Sequence, residues 1–366
     1  MKLHFCEHLK EEQNYKGKME VVVMKQHYGV TKKGQEVSSY TLTNANGMQV
    51  VVIDYGAILD KVLVPDKNGG LVDVTLSSST LAEYEADSNF LGATVGPSAN
   101  RIARGEAPID GVVYQMLKND GENNLHSDIV DGVHKRVWDA EENGNSVTFT
   151  ISVPDGEFGL PGNRTMKVTY TLTEDNGVKI DYVGTSDKNT VYNMTNHTHF
   201  NLAGHDAGSI YDHVLQINAS NFTPVVKGAI PTGEIQSVVD SILGFKNPKP
   251  VGQDIDADNE QLKLVGGYDF NYVVDDYDGT LKEVASLTDP KSGRVMKVLS
   301  DLPGIQLYTD NFVENAPGKG GHVYNPRQGL CLETQAYPDS IHHDNFPDVV
   351  YGPDREYRTT TIYRFE

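Results

Sequence analysis

The feature that most constrains the fold is a repeated pattern of short runs that alternate polar and apolar residues and end in turn signals. Residues 165–173 (TMKVTYTLT) and 178–185 (VKIDYVGT) alternate with a period of two, and the turn signal DNG lies between them at 175–177. Asn-Gly between two alternating runs is a strong β-hairpin signal. Residues 145–153 alternate in the same way. The pattern predicts antiparallel strands throughout the chain.

Helical signals are few and short. Thr80 with Glu83 forms a capping-box pattern before a stretch that ends near Ala86, and residues 259–264 could form one or two turns. Neither is long enough to cover a parallel sheet, which disfavours alternating strands and helices. We therefore predict an all-β fold, a large antiparallel β-sandwich with few short helices. No Pro/Ser-rich linker divides the chain, so we expect one domain over residues 20–366 and an N-terminal arm over residues 1–19.

The charge of the chain excludes some classes of partner. Lys and Arg number 31 against 51 Asp and Glu, which gives a formal net charge of −20. Binding to nucleic acid or to an anionic membrane needs a basic surface, so we expect neither partner. The N-terminal residues lack the apolar core of a secretory signal, and we expect a cytoplasmic protein. Two distant cysteines, Cys6 and Cys331, are expected to be reduced thiols.

The densest group of chemically active side chains lies in residues 193–204 (NMTNHTHFNLAG). His197 and His199 are two positions apart, so on a strand both would face the same side. From the residues alone, three interpretations stay open: a pair of structural histidines, a metal site and general acid catalysis.

A second candidate is Glu333, which follows the apolar run 330–332 (LCL). A carboxylate in this setting either faces water at a sheet edge or points into a pocket. In a pocket it could act as a general base or bind a ligand hydroxyl.

Seven motifs, in order along the chain, resemble those of the aldose 1-epimerases, also called galactose mutarotases. The resemblance runs from about residue 20 to the C-terminus. The motifs are ANRI at 99–102, NLH at 124–126, KRVW at 135–138, NHTHFNL at 196–202, GYD at 267–269, PGIQLY at 303–308 and LETQ at 332–335.

The resemblance implies a galactose mutarotase-like supersandwich whose open cleft binds a free hexose such as galactose or glucose, with no metal or organic cofactor. It implies interconversion of the α and β anomers of an aldose by acid/base-catalysed ring opening and reclosure. Glu333 matches the general base of the family and His197 its general acid. Five further residues match its sugar-binding positions, and we expect a monomer or weak homodimer. These five residues are Asn100, Arg101, His126, Asp269 and Gln306.

The chain also departs from the family pattern. Gly96-Pro97 stands where Gly-Arg is common, His126 is followed by Ser-Asp rather than two glycines, and His199 replaces a common Tyr. Two alternatives to a mutarotase stay open. One is a sugar-binding sandwich without turnover, which the presence of both Glu333 and His197 disfavours. The other is a metal-dependent β-fold enzyme using His197 and His199, for which no third ligand lies at a fixed spacing.

The expected protonation states follow from ordinary pKa values, near 4.3 for Glu and 6.5 for His. At neutral pH Glu333 would be ionised, and its charge would raise the pKa of His197. The rate constant kcat/KM is expected to be bell-shaped in pH.

Overall fold

The structure is a computed structural model that describes residues 22–66 and 70–366. The predicted arm, residues 1–19, lies outside the described residues together with Cys6. The largest sheet contains nine antiparallel strands. In spatial order they are Asp139–Asn143, Ser146–Val153, Arg164–Leu172, Gly177–Ser186, Tyr357–Phe365, Val295–Ser300, Lys282–Thr288, Val214–Ile217 and Lys249–Pro250.

Two five-stranded sheets accompany it. The first is a meander in chain order. Its strands are Val22–Val30, Glu36–Thr43, Gln49–Ile53, Ile58–Pro65 and Leu71–Asp73. The second, which we call the cleft sheet, carries the residues discussed below. Its strands, in spatial order, are Gln236–Ser237, Ala219–Phe222, Asp269–Val274, Gly304–Tyr308 and Cys331–Gln335.

The described residues also form short strand pairs outside these sheets. They are Glu106–Ile109 with Val112–Gln115, Arg101–Ile102 with Asn124–Leu125, Thr190–Val191 with Val350–Tyr351, Ala93–Val95 with Thr195–His197, Thr75–Leu76 with His199–Phe200, Val225–Val226 with Ile230–Pro231, and Ala316–Pro317 with Val323–Tyr324. The described helices are also short. The α-helices are Leu81–Ala86 and Glu260–Val265, and the 3-10 turns are Ala103–Gly105, Val133–Lys135, Glu157–Gly159, Val251–Gln253, Lys319–Gly321 and Ser340–His342.

The predicted local elements are confirmed. Strands Arg164–Leu172 and Gly177–Ser186 pair as an antiparallel hairpin, and Asn176 in its turn has φ of +61°. Thr80 caps the first α-helix with the complete capping box formed with Glu83. The fold class, a large antiparallel β-sandwich with few short helices, is confirmed as well. Over the described residues, no helix is both long and apolar enough to cross a membrane.

Alternation along the strands builds the core. In Arg164–Leu172 every second side chain is buried, as the period of two predicts. Val168 of this strand belongs to the same apolar cluster as Val50 of the meander and Leu307 of the cleft sheet. The one tryptophan, Trp138, lies in that cluster and donates a hydrogen bond to the carbonyl of Val133. The three sheets therefore pack around one continuous apolar core.

Candidate active site

The site is built on one face of the cleft sheet. The strand register places Asn271, Gln306 and Glu333 side by side on three neighbouring strands. Because side chains alternate across a strand, these three point to the same face, and their chain neighbours point to the other. Most of these neighbours are apolar and belong to the core. They include Phe270, Tyr272, Ile305, Leu307 and Leu332.

Glu333 is buried in this polar face, with 2% of its surface exposed. Its Oε1 lies 3.8 Å from Nε2 of His197, and no described residue forms a hydrogen bond with its Oε2. Burial and the charge of Asp269 raise the pKa of Glu333 well above its usual value, although Arg101 opposes the shift. A carboxylate without hydrogen-bond donors is a stronger base than one in water.

His197 reaches the site from a different strand pair. It ends strand Thr195–His197, and Thr195 Oγ1 donates a hydrogen bond to the carbonyl of Thr334, next to Glu333. Burial lowers the pKa of His197 well below its usual value, and the charges of His199 and His126 add to the shift. The expectation of a raised pKa for His197 is therefore wrong, because burial of the ring and the neighbouring histidines lower it.

His199 lies behind His197, so the prediction that the two rings share a side is confirmed. The strand is interrupted at Thr198, but the ring centroids are 4.9 Å apart. His199 Nε2 lies 3.0 Å from Nδ1 of His197, and its Nδ1 lies 2.6 Å from Oδ1 of the buried Asp310. No sequence motif indicates this contact, since Asp310 is 111 residues away along the chain.

Cys331 supplies the third donor that a metal site at the histidines would need. Its Sγ lies 3.5 Å from Nδ1 of His197, and the donor atoms of Cys331, His197 and His199 lie within 4.8 Å of one another. Burial raises the pKa of this free thiol well above its usual value, with the charge of Glu333 adding to the shift. To bind here, a metal would have to displace the proton of the Cys331 thiol and break the hydrogen bond between the two histidine rings. These three residues therefore fit a hydrogen-bonded group better than a metal site.

His126 is held as a neutral donor at the side of the cleft. Its Nδ1 accepts a hydrogen bond from the backbone amide of Asn100 at 3.0 Å, which leaves the proton of the neutral ring on Nε2. Burial lowers the pKa of His126, and the charges of Arg101 and His134 lower it further. Its ring centroid is 5.6 Å from that of His197. A neutral ring with Nε2–H suits a sugar hydroxyl.

Asn100 orders the loop that carries Arg101. Its backbone has φ of +56°, and its Oδ1 accepts a hydrogen bond from the amide of Arg101 at 2.9 Å. Asn tolerates this left-handed conformation better than most residues. The turn aims Arg101 at the cleft sheet.

Three other predicted residues form a connected group across from the histidines. Arg101 Nε donates to Asp120 Oδ2 at 2.8 Å, and its Nη1 lies 3.8 Å from Asp269 Oδ2. Gln306 Nε2 donates to Asp269 Oδ1 at 2.6 Å. Burial raises the pKa of Asp269, although Arg101 and Gln306 oppose the shift. The structure thus links all seven predicted site residues through contacts or strand neighbours.

Sequence reasoning missed several residues of the site. Gln335 Nε2 donates to Gln306 Oε1 at 3.1 Å, and a Cβ added at Gly304 would lie 2.5 Å from Asn271 Oδ1, so Gly304 keeps the sheet face open. Strand alternation would have found Asn271 and Gln335, because each lies two positions from a predicted residue. Phe90, whose ring centroid is 4.7 Å from that of His126, carries no such signal.

Comparison with known proteins gives one consistent result. The family profile described as aldose 1-epimerase matches residues 38–364. A galactose mutarotase of Bos taurus is 37% identical over 322 residues, which are 87% of this chain and 91% of that protein. An aldose 1-epimerase of Escherichia coli is 35% identical over 335 residues, 91% of this chain and 96% of that protein. The structure of a galactose 1-epimerase from Lactobacillus acidophilus matches with a TM-score of 0.82 at 28% identity, covering 94% of this chain and 99% of that one.

Proposed function

The chain belongs to the aldose 1-epimerase family, as its seven motifs predicted, and we propose that Glu333 and His197 carry out the proton transfers of its reaction. The reaction interconverts the α and β anomers of a free aldohexose. Glu333 is the general base that takes the proton of the C1 hydroxyl. His197 is the general acid that protonates the ring oxygen.

The chemistry needs both groups because each half of the reaction is difficult alone. A hemiacetal hydroxyl is weakly acidic, and the ring oxygen is weakly basic. When the base removes the hydroxyl proton and the acid protonates the ring oxygen, the C1–O5 bond opens to the aldehyde. C1 then rotates about the C1–C2 bond and the ring closes on the other face. Each proton transfer is worth about 10²–10⁴ in rate.

The sugar is held by the polar groups around this pair. Asp269 accepts hydrogen bonds from hydroxyl groups, while Arg101, His126, Asn100 and Gln306 supply donors. Galactose and glucose are the proposed substrates, and they differ in the direction of one hydroxyl group. Pro97, where Arg is common, is expected to remove one cationic contact, and Ser-Asp after His126 is expected to reshape a binding loop.

One observation carries this proposal: Glu333 Oε1 lies 3.8 Å from His197 Nε2, and no described residue forms a hydrogen bond with Glu333 Oε2. The test is polarimetry of freshly dissolved α-galactose and α-glucose with the wild-type protein, Glu333→Gln and Glu283→Gln. Glu283 is exposed and serves as the matched control. We expect wild type and control to speed mutarotation alike. Calorimetric sugar binding with no rate above buffer would instead support a binding protein.

We further propose a cytoplasmic protein that is a monomer or weak homodimer and uses neither nucleic acid nor membrane as a partner. The net charge of −20 supports the last point. Sedimentation velocity across a concentration series checks the oligomeric state. Limited proteolysis checks the proposed division into an arm, 1–19, and one domain, 20–366, since cleavage should then concentrate before about residue 20.

A further inference from the structure

A line of hydrogen-bonding groups extends from the acid away from the cleft. Asp310 Oδ1 lies 2.6 Å from His199 Nδ1, and His199 Nε2 lies 3.0 Å from His197 Nδ1. The side chains of His199 and Asp310 are fully buried, and Nε2 of His197 faces Glu333 at the other end. A buried aspartate and a second histidine therefore stand behind the group that must protonate the sugar.

We propose that His199 and Asp310 are positioning residues that set the tautomer of His197 and replace the proton it gives to the ring oxygen. The proposal rests on the function proposed above. It identifies the group that supplies the replacement proton to His197, which neither Glu333 nor His197 can supply.

The acceptors around His199 fix where its protons lie. Its Nδ1 faces the carboxylate of Asp310, and its Nε2 lies 3.0 Å from the carbonyl oxygen of Asn89. Both neighbours accept hydrogen bonds, so both ring nitrogens carry a proton and His199 is an imidazolium. The single Nε2 hydrogen is shared between this carbonyl and Nδ1 of His197, which lies at the same distance, so Nδ1 must be unprotonated to accept it. The proton of neutral His197 consequently lies on Nε2, the atom that faces the cleft.

The charges around the pair support this division. Burial lowers the pKa of His199. The charge and hydrogen bond of Asp310, together with the charge of Asp87 and the Asn89 carbonyl, raise it by more than burial lowers it, so the net shift of this pKa is upward. The pKa of His197 is shifted downward by burial. The stable site of the positive charge is thus His199, next to its counterion.

Four further titratable groups near the two rings stay uncharged around neutral pH. Burial raises the pKa values of Cys331 and Tyr308, so both keep their protons. Burial lowers the pKa values of His126 and His134, the latter to about 3, so both stay neutral. Glu333 and His199 remain as the groups whose ionisation controls the reaction.

The proton transfers balance. Glu333 takes the proton of O1, the O1–C1 bond becomes a carbonyl, and the electron pair of the C1–O5 bond goes to O5. O5 takes the proton from Nε2 of His197, and Nδ1 of His197 takes the proton from Nε2 of His199. His199 is left neutral and still donates Nδ1–H to Asp310. Ring closure returns each proton by the reverse path, so net charge is unchanged throughout.

The arrangement predicts the pH profile. The acidic limb of kcat/KM follows protonation of Glu333, and the alkaline limb follows loss of the His199 proton. Asp310→Asn keeps an oxygen that accepts from Nδ1–H but removes the charge. It should lower the pKa of His199 and move the alkaline limb to lower pH by about one to three units. His199→Gln keeps a donor to His197 but cannot titrate, so this limb should disappear.

The control is Asp289→Asn. Asp289 is also a buried aspartate, and it accepts hydrogen bonds from the amides of Lys291 and Ser292. This substitution should leave the alkaline limb in place. An unmoved limb in both Asp310→Asn and His199→Gln would overturn the proposal while leaving the mutarotase function intact. Absence of mutarotation in the wild-type protein would instead reject the function.

Nitrogen NMR of the histidine rings in the wild-type protein provides a test that needs no substitution. At neutral pH we expect both nitrogens of His199 to be protonated and His197 to be neutral with its proton on Nε2. A neutral His199, or a His197 with its proton on Nδ1, would contradict the proposal even where a variant fails to fold.

Discussion

The two faces of the cleft sheet show how differently one set of strands can be used. On the inner face, Phe270, Leu307 and Leu332 are packed in the main apolar cluster. On the cleft face, Gln306 and Glu333 lie on the same strands, equally buried but polar. Each inner side chain is stabilised by removal from water, whereas a buried polar group on the other face is destabilising unless it forms hydrogen bonds.

The apolar inner face stabilises the fold, whereas buried polar groups on the cleft face lower its stability. Glu333 Oε2 has no hydrogen-bond partner among the described residues, and burial shifts its pKa upward. A buried carboxyl group with a shifted pKa is typical of a catalytic site, because the shift makes its ionised form a stronger base. Substitutions on the two faces should therefore separate activity from stability.

The largest effect is expected from Glu333→Gln on the cleft face. The amide keeps the shape of the side chain but cannot take the C1 hydroxyl proton, so kcat should fall by roughly 10²–10⁴ with a smaller change in KM. Steady-state polarimetry over a range of sugar concentrations gives both constants. If most of kcat remains, another carboxylate is the base.

The same substitution should stabilise the fold at neutral pH. A carboxylate with a raised pKa in the folded state favours folding most when it is protonated, and this contribution is lost as pH rises through that pKa. Removing the carboxylate should raise the Tm at neutral pH, and the gain should shrink towards acidic pH. A lower Tm at neutral pH would mean that Glu333 is structurally required.

Leu307→Ala is the matching change on the inner face. Leu307 follows Gln306 in the same strand and is fully buried on the inner face, so the substitution leaves a cavity in the core. The free energy of unfolding, measured with urea, should fall by about 2–5 kcal/mol. The kcat of the folded fraction should change far less than in Glu333→Gln. A loss of kcat as large as that of Glu333→Gln, with unchanged stability, would show that the faces are not separable.

Asp269→Asn should have a smaller effect on the cleft face. Asp269 accepts from Gln306 and lies near Arg101, where it can also accept from a sugar hydroxyl. Such a bond forms in the ground state and the transition state alike, so KM should rise by about tenfold or more while kcat changes little. A fall confined to kcat would place Asp269 in the proton transfers instead.

The smallest effect is expected from metal removal. Proton transfer between Glu333, His197 and the sugar needs no metal, and the thiol of Cys331 holds its proton. Treatment with a chelator should leave the rate unchanged, and elemental analysis should find no stoichiometric metal. Bound zinc or iron, with activity lost on its removal, would make the group of His197, His199 and Cys331 a metal site.

The sequence predicted what local patterns and linear motifs determine. Alternation with an intervening Asn-Gly turn predicted the hairpin, and the Thr80–Glu83 pattern predicted a capped helix. The motifs predicted that His197 and Glu333 belong to one site, although the two residues are far apart along the chain. The sequence could not predict that Asp310 reaches His199, because that contact depends on how distant segments pack. Nor could it predict the pKa of His197, because a neighbouring charge is visible in a motif but the burial of the ring is not.

We propose that the cleft face interconverts the anomers of a free sugar through Glu333. The most direct measurement is proton exchange spectroscopy on galactose and on glucose at anomeric equilibrium, with the wild-type protein and Glu333→Gln at equal concentrations. We predict cross-peaks between the α and β C1 protons with the wild-type protein for at least one sugar, loss of these cross-peaks with Glu333→Gln, and an unchanged α-to-β ratio in both samples. Sugar bound without anomeric exchange, or exchange of equal rate in the two proteins, would contradict the account.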